Sequence, residues 1–426
     1  METRSTHPPQ PWRWIPSLYF AQGIPYVAAM TLSVVLYKNL QVSNTDIALY
    51  TSWLYLPWVI KPLWSPLVEL YRTKRFWIVG LQFVLGIALA LVAFMLPGPL
   101  FFRGTLAVFW LVAFSSATHD IAADGFYLLA LPTHQQAAFV GVRSTFYRLA
   151  MISGQGGLVW LAGLLHEKTG DVVQAWIWVF GLASAFFLAV AAYHAWALPR
   201  PTADVARKKE AAPFATGYFA VFAAFFRKKH IVSALAFLLL YRLAEAQLLK
   251  LVAPFLLDAR DAGGLGLTTQ QVGIIYGTIG VIALTLGGIL GGLAIARFGL
   301  RRLLWPMVLS ITVPNVAYVF LALTQPSSVI VIGAALAAEQ FGYGFGFCAY
   351  MLYMMLVSEG PHRTAHYAIC TGFMALGMML PGMAAGWVQE QLGYVNFFVW
   401  ICVATIPTFL ATASIKVDPA FGRKAT

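Results

Sequence analysis

The chain has 426 residues, of which 60% are hydrophobic and only 10% are charged. About a quarter of the residues of a water-soluble globular domain are charged. The composition of this chain therefore excludes a water-soluble globular domain and indicates a protein embedded in a lipid bilayer. The formal net charge of +12 would suit an anionic partner such as nucleic acid only if the 28 basic residues lay together.

Long apolar segments alternate with short polar ones along the whole chain. About 20 apolar residues are enough to cross about 30 Å of hydrocarbon as a helix. The apolar segment after the N-terminal METRSTHPPQPWRW is too long for a signal-peptide core and has no clear small-residue cleavage site, so we expect it to remain on the protein. The twelve predicted spans are 14–38, 46–69, 76–96, 104–131, 139–165, 173–197, 231–257, 270–296, 303–324, 328–357, 365–390 and 394–415.

The basic residues are distributed unevenly between the two sides of the predicted membrane. Nineteen lie in loops on the side of the N-terminus, four on the other side and five within spans. This asymmetry follows the positive-inside rule and predicts that both termini are cytoplasmic. The four are Lys38, Arg103, Lys168 and Arg260, and the five are Lys61, Arg143, Arg148, Arg242 and Lys250. The basic loops are short and carry no nucleic-acid-binding motif, so nucleic acid is not expected as a partner.

The first two spans carry polar side chains inside apolar sequence. In YFAQGIPY, Gln22 and Tyr26 are four residues apart and therefore share a helix face. In WVIKPLW of the second span, Lys61 precedes Pro62. Ionisable groups within a membrane usually face a cavity or a partner. We therefore take Gln22, Tyr26 and Lys61 as candidates for a substrate or proton pathway.

The fourth span contains SSATHDIAADGFYLLAL, in which Asp120 and Asp124 lie on one helix face. The rise of a helix places Asp124 about 12 Å and Asp120 about 18 Å from the cytoplasmic end of this span, and Arg148 about 13 Å along the fifth. This similar depth predicts that Arg148 pairs with one of the aspartates. The pair would be either a switch for transport or a static link between two helices. His119 points away from Asp120 and is expected to form a local hydrogen bond.

The seventh and tenth spans carry the other intramembrane acids. YRLAEAQLLK places Arg242 and Glu245 one turn apart, and AAEQFGYGFGF contains Glu339. Titration of such acids would couple transport to protons. Glu339 has no cation within a turn on its own helix, so it is the acid we expect to take up a proton. The alternative is that Glu339 only hydrogen-bonds the substrate.

The two halves of the chain repeat each other at an offset of about 225 residues. Ser43 with Asp46 and Thr268 with Gln271 each resemble a helix-opening capping box. GLLHEKTG (163–170) likewise corresponds to GWVQEQLG (386–393). We therefore predict an all-α membrane protein with twelve transmembrane helices in two pseudo-symmetric six-helix bundles, 1–198 and 230–426, joined by a cytoplasmic linker, 199–229. Such repeats are typical of secondary transporters. The glycine runs GQGG and GGILGG are predicted helix-packing surfaces.

The repeat and the loop GGLAIARFGLRR (291–302) resemble the major facilitator superfamily (MFS) over essentially the whole chain. Ala296 stands where that family's loop has an acid, whereas the first-half copy, SPLVELYRTKR, retains Glu69 but lacks the glycines. The resemblance implies the MFS fold, a central cavity lined by helices 1, 4, 7 and 10, and a cytoplasmic gate. The gate residues that it implies are Glu69, Arg72, Arg75, Arg301 and Arg302. The alternative is that these are ordinary positive-inside loops.

Four stretches resemble the branch that contains AmpG-type muropeptide permeases and acetyl-CoA transporters: AQGIPY, LPWVIKPLWSPLVE, SSATHDIAADGF and FYRLAMISG. His119 replaces a glutamine of that branch's pattern. The resemblance implies proton-coupled import of a peptidoglycan-derived muropeptide, or another solute containing an amino sugar, across the cell inner membrane. The same branch leaves a siderophore or a coenzyme A ester as alternative cargo.

Two other classes are less consistent with the sequence. A membrane-embedded enzyme would need a nucleophile–base pair or a metal-ligand cluster, and no such motif is present. A channel would not need two homologous halves with charges at mid-membrane. We therefore expect a monomeric carrier whose partners are a small-molecule substrate, protons and the lipid bilayer, with no cofactor, metal or catalytic residue.

Overall fold

A computed structural model describes residues 10–131, 133–202, 204, 214–360 and 363–418. Each predicted span is helical, and the described residues contain no β-strand, so the all-α fold class is confirmed. In this part of the chain, ten helices are individually long and apolar enough to cross a membrane. The count differs from twelve because the second span is divided near Leu54, and the last two spans form one run that turns at Gly393.

The membrane helices are named α1 to α12 in chain order, and a further helix, Phe214–Phe226, lies in the predicted linker. Their bounds are Pro11–Asn39 (α1), Asn44–Trp53 with Leu56–Leu70 (α2), Lys74–Met95 (α3), Phe101–Ala130 (α4), Thr133–Ile152 with Ser153–Leu158 and Val159–Thr169 (α5), Val172–Ala197 (α6), Ile231–Leu257 (α7), Thr269–Phe298 (α8), Leu300–Thr324 (α9) and Val329–Ser358 (α10). The run Arg363–Val403 contains α11 before Gly393 and the first part of α12 after it, and α12 continues as Ile406–Ser414.

Both predicted capping sites begin their helices. The Ser43 hydroxyl accepts a hydrogen bond from the backbone amide of Asp46 at 3.0 Å. The Thr268 hydroxyl accepts one from the amide of Gln271 at 3.2 Å, and the Gln271 side chain accepts one from the amide of Thr268 at 2.9 Å. These bonds satisfy amides that have no partner within the helix, which fixes where α2 and α8 begin.

Several membrane helices are irregular along their length. A π-helical segment occurs in α1 (Ala28–Leu32), in α5 (Ser153–Leu158) and in α8 (Gly273–Gly280). α7 is interrupted at Tyr241 and Arg242, between helical parts that end at Leu240 and begin at Leu243. Such departures from α-helical geometry are frequent at functional sites.

The chain forms two compact units, and these do not coincide with the two sequence halves. The first unit contains the described residues of 1–29, 63–153 and 176–209, and the second those of 30–62, 154–175 and 210–426. The end of α1, the beginning of α2 and the end of α5 therefore belong to the same unit as the second half. In α1 and α5 the boundary falls within a π-helical turn.

Glycines bring α8 against α10, as the run GGILGG predicted. A methyl group at Gly287 would lie 2.1 Å from the carbonyl oxygen of Phe341, and one at Gly344 would lie 2.0 Å from that of Leu284. The two backbones are therefore in direct contact. On other faces of α8, Leu286 and Leu293 are exposed, as expected for side chains that contact lipid.

We expect Gly287→Ala to lower the melting temperature of the detergent-solubilised protein by several degrees. The added methyl group would meet a backbone oxygen, so α8 and α10 would have to separate. Gly292→Ala on the same helix is the matched control, since no atom lies within 4 Å of the added methyl group. Alanine favours a helix over glycine by about 1 kcal/mol, so the control should melt at or above the parent temperature. Equal melting of the two variants would contradict the packing argument.

Candidate functional site

The first group of charges lies where α4 packs near α5 and α1. An Arg143 nitrogen lies 2.8 Å from Oδ1 of Asp124, and the Tyr19 hydroxyl donates to the same oxygen at 3.4 Å. The guanidinium also lies over the rings of Tyr19 and Tyr127, at 4.5 and 5.2 Å from their centres. We call these four residues the Asp124 cluster. Its charged side chains remain partly exposed, which leaves them accessible to a solute or to water.

The cation that pairs with Asp124 is Arg143, a residue of the predicted fifth span for which the sequence indicated no role. The prediction used a fifth helix beginning at Phe139, whereas α5 begins at Thr133. Six residues correspond to about 9 Å of helix, so Arg143 lies deeper than it was placed. The polar residues after Thr133 hid this extension of the helix.

Asp120 and Arg148 lie near the same part of α5 and α1. Both contribute to the electrostatic environment of Tyr147, together with Asp124 and Tyr26. The prediction that Arg148 pairs with an aspartate stays a prediction. Gln22 is 8% exposed, and its carboxamide oxygen has no hydrogen-bond partner among the described residues. Such a buried acceptor is available to a ligand or a water molecule.

The predicted local hydrogen bond of His119 is part of a longer polar chain. Nε2 of His119 lies 3.0 Å from Nε2 of Gln82, whose Oε1 lies 2.8 Å from Nδ1 of His194. The other ring nitrogen of His194 lies 2.9 Å from the Ser17 hydroxyl. These buried contacts link α4, α3, α6 and α1, so they fix the rotation of the helix that carries the two aspartates.

The second group of charges lies at the break in α7. Arg242 Nε donates to Oε2 of Glu245 at 3.1 Å, and a terminal nitrogen donates to Oε1 at 2.6 Å, so the pair is bidentate. The same nitrogen donates to the Tyr343 hydroxyl at 2.6 Å, and the guanidinium lies 4.9 Å from the ring centre of Phe347. We call these four residues the Arg242 cluster. Its two charges are almost completely buried. The ion pair confirms the proximity of Arg242 and Glu245 that their spacing predicted.

Glu339 lies on α10, and its hydrogen-bond partners among the described residues are neutral. Its Oε2 accepts hydrogen bonds from the Tyr318 hydroxyl at 3.0 Å and from the Gln340 side chain at 2.9 Å. It is 2% exposed, and no cation pairs with it in the described part of the chain. A buried carboxyl with neutral donors alone is more easily kept in its protonated form than one held by a cation.

The remaining predicted site residues differ in how far their side chains are exposed. Lys61 and Tyr26 are half-buried. Arg72, Arg301 and Arg302 are exposed. The side chain of Glu69 lies outside the described residues. No group of three His, Cys, Asp or Glu side chains that could hold a metal was found in the residues described.

Arg75 stabilises the ends of two helices in the first unit. Its Nε donates to the carbonyl oxygen of Leu198 at 3.2 Å, and a terminal nitrogen donates to that of Ala195. The backbone amides of Lys74 and Arg75 donate to the carboxylate of Asp204, at 2.7 and 3.1 Å. Asp204 thus caps α3 with the charge that a helix N-terminus favours. No local sequence pattern indicates this role of the linker residue, because Asp204 is separated from α3 by about 130 positions.

Comparison with known proteins identifies relatives over almost the whole chain. A model of the Major Facilitator Superfamily matches residues 17–364. An anhydromuropeptide permease of Escherichia coli strain K12 is 28% identical over 398 residues, which cover 92% of this chain and 76% of that protein. A putative transporter AmpG 4 of Rickettsia conorii is 24% identical over 412 residues, which cover 92% of each.

Solved structures with the same fold are more distant in sequence. The nucleoside transporter NupG matches with a TM-score of 0.69 at 17% identity, covering 95% of this chain and 98% of that one. A bacterial homologue of the human lysosomal transporter Spinster matches with a TM-score of 0.69 at 17% identity, covering 94% and 96%. These likenesses concern the fold. With its apolar helices and the family match, the chain is a multi-pass inner-membrane protein that belongs to the Major Facilitator Superfamily of transporters and resembles the AmpG-type permeases.

Proposed function

We propose that this chain imports a peptidoglycan-derived muropeptide, or a related solute containing an amino sugar, together with protons by alternating access. The similarity to an anhydromuropeptide permease, which extends over 92% of the chain, carries the proposal. In transporters built from repeats, the substrate site lies near mid-membrane, often at discontinuous helices. The break in α7 beside Arg242 and Glu245 is such a discontinuity.

The side chains of both clusters suit this cargo. The Asp124 cluster and the Arg242 cluster each combine one cation, one carboxylate and two aromatic rings. Aromatic faces pack on sugar rings, and the two signs of charge match the carboxylate and amino groups of a muropeptide. The same features would accept a siderophore or a coenzyme A ester, which remain the alternative cargo.

The remaining assignments are part of the same proposal. Glu339 is the leading candidate for the coupling site, and Asp120, Asp124 and Glu245 are the other titrating candidates. Arg148, Arg242, Gln22, Tyr26 and Lys61 complete the pathway. Glu69, Arg72, Arg75, Arg301 and Arg302 form the cytoplasmic gate. The chain acts as a monomer with both termini in the cytoplasm, and its two six-helix bundles comprise residues 1–198 and 230–426.

Transport by the purified protein tests the proposal. Proteoliposomes should accumulate labelled N-acetylglucosaminyl-anhydromuramic acid when the outside is acidified, with saturation, and a protonophore should abolish the accumulation. Ferric siderophore and acetyl-CoA are offered in parallel assays. Accumulation of the siderophore or of acetyl-CoA, without accumulation of the disaccharide, would identify that compound as the cargo. Uptake that rises linearly with concentration and ignores the proton gradient would contradict a coupled carrier.

A further inference from the structure

Lys250 is a buried cation to which neither the sequence nor the proposed pathway gives a role. It lies on the second part of α7, Leu243–Leu257, and is 5% exposed. Its ammonium donates to the Thr51 hydroxyl on α2 at 3.0 Å and lies 5.2 Å from the ring centre of Tyr55. The Thr51 hydroxyl donates its own proton to the carbonyl oxygen of Ile47 at 2.6 Å. Thr51 therefore acts as an acceptor for the lysine.

The Lys250 ammonium has no carboxylate partner among the residues that the structure describes. None of the ion pairs between described residues includes Lys250. Burial of an unpaired charge costs several kcal/mol, and buried cations are usually compensated by an acid. The same helix supplies the comparison, because Arg242 is paired with Glu245 within one turn. Within the described residues, Lys250 lacks the compensating carboxylate that Arg242 receives from Glu245.

A second unsatisfied group lies beside Lys250. Ser52 is fully buried, and its hydroxyl has no hydrogen-bond partner among the described residues. A methyl group at Gly382 of α11 would lie 2.8 Å from the Ser52 hydroxyl and 3.3 Å from Cγ of Lys250. The Ser52 hydroxyl and the aliphatic stem of Lys250 therefore both lie against α11 at Gly382, which has no side chain of its own. A free hydroxyl donor and an ammonium are the groups that hold the oxygens of a carboxylate.

A polar network lies between Lys250 and the nearer ends of α7 and α2, the helices that carry Lys250 and Thr51. Lys38 pairs with Asp258 at 2.5 Å, the Tyr394 hydroxyl donates to Asp258 at 2.6 Å, and the Asn44 amide donates to Gln389 at 2.7 Å. We call these five residues the outer network. Lys250 lies seven positions before Leu257, where α7 ends, and Thr51 lies seven positions after Asn44, where α2 begins. Both partners thus lie about 10 Å beneath the network.

The charges of the outer network compensate one another, so none of them is left for Lys250. The positive-inside rule places this side outside the cytoplasm. A solute that arrives from there would meet Lys250 as the first uncompensated charge once the network has opened.

We propose that Lys250, with the Ser52 hydroxyl, binds a carboxylate of the cargo beneath the outer network. The cargo supplies the anion that the protein omits, so binding removes the cost of the buried charge. A carboxylate fits better than a neutral sugar hydroxyl, because only an anion offsets that cost. This inference rests on the proposed import of an acidic amino-sugar solute, and it adds the position and chemistry of one contact.

Ligand-induced stabilisation of the purified full-length protein tests the site. N-Acetylmuramate, which carries a lactyl carboxylate, should raise the melting temperature of the parent protein, and neutral N-acetylglucosamine should raise it far less. Lys250→Met should weaken muramate binding by about 10- to 100-fold, the effect of losing one charge-assisted bond. Lys250→Arg should retain part of the binding. Lys168→Met, which removes an exposed lysine predicted to lie on the same side of the membrane, is the matched control and should bind like the parent.

The outcomes separate this inference from the proposed function. Lys250→Met without ligand should melt at or above the parent temperature because it removes a buried charge, which shows that the variant folds. Equal stabilisation of the parent and Lys250→Met by muramate, or stabilisation of neither, would overturn the Lys250 site. The proposed function fails instead if the parent protein gives no proton-driven uptake of the disaccharide, whatever the melting experiment shows.

Discussion

Replacing Glu339 by glutamine should abolish proton-driven accumulation of the cargo and leave exchange of cargo across the membrane intact. The Glu339 carboxylate oxygen accepts bonds from Tyr318 and Gln340, and a glutamine oxygen can accept both. The variant should therefore fold, but it has no proton to take up or release. Accumulation is measured in proteoliposomes under an acid-outside gradient, and exchange by counterflow of labelled cargo without one.

Glu359→Gln is the control for this experiment. Glu359 follows the same helix, α10, and is exposed, so its neutralisation removes the same charge without touching the buried site. The control should accumulate cargo like the parent protein. A Glu339→Gln protein that still concentrated cargo with the parent pH dependence would eliminate Glu339 as the coupling site, and leave it the role of a substrate hydrogen-bonding group.

Arg242→Ala should abolish transport and destabilise the protein. The substitution leaves Glu245 buried without the two hydrogen bonds and the charge that compensate it. Removal of one partner from a buried ion pair costs about 3–5 kcal/mol, which should lower the melting temperature by many degrees. It also removes the donor to Tyr343 on α10. Melting and saturable uptake are measured on the same preparation.

The double variant Arg242→Met with Glu245→Met separates stability from function. With both charges gone, the melting temperature should recover, because an apolar pair of similar volume is often as stable as a buried ion pair. Transport should not recover if the charges contact the cargo. Arg103→Ala, at an exposed arginine of α4, is the control and should change neither measurement. Normal transport by the double variant would exclude the Arg242 cluster from the substrate pathway.

The fold was predictable because lipid imposes strong limits on sequence. A membrane helix needs about 20 apolar residues and internal backbone hydrogen bonds, so each of the twelve spans could be read from hydropathy. Ser43 and Thr268 marked two helix starts correctly through their capping chemistry. Where apolar character ends before the helix does, as in α5 after Thr133, the boundary was wrong by six residues.

The candidate site was predictable only in part, and the reason is geometric. Acids on α4, α7 and α10 are visible because carboxylates are rare in apolar sequence. The pairing of Arg242 with Glu245 followed from helical spacing alone. The pairing of Asp124 with Arg143 depended on the start of another helix. Contacts such as Lys250 with Thr51 join residues about 200 positions apart, and no local pattern encodes them.

The π-helical turn in α1 changes how the sequence of this helix is read on a helical wheel. One extra residue in a turn shifts the phase of everything after it by about 100°. Gln22 and Tyr26, before the turn, and Lys38, after it, therefore belong to two different wheels, although the helix continues without a loop. A relative lacking that one residue would present another face of α1 to its neighbours beyond Leu32, even if every later residue were identical.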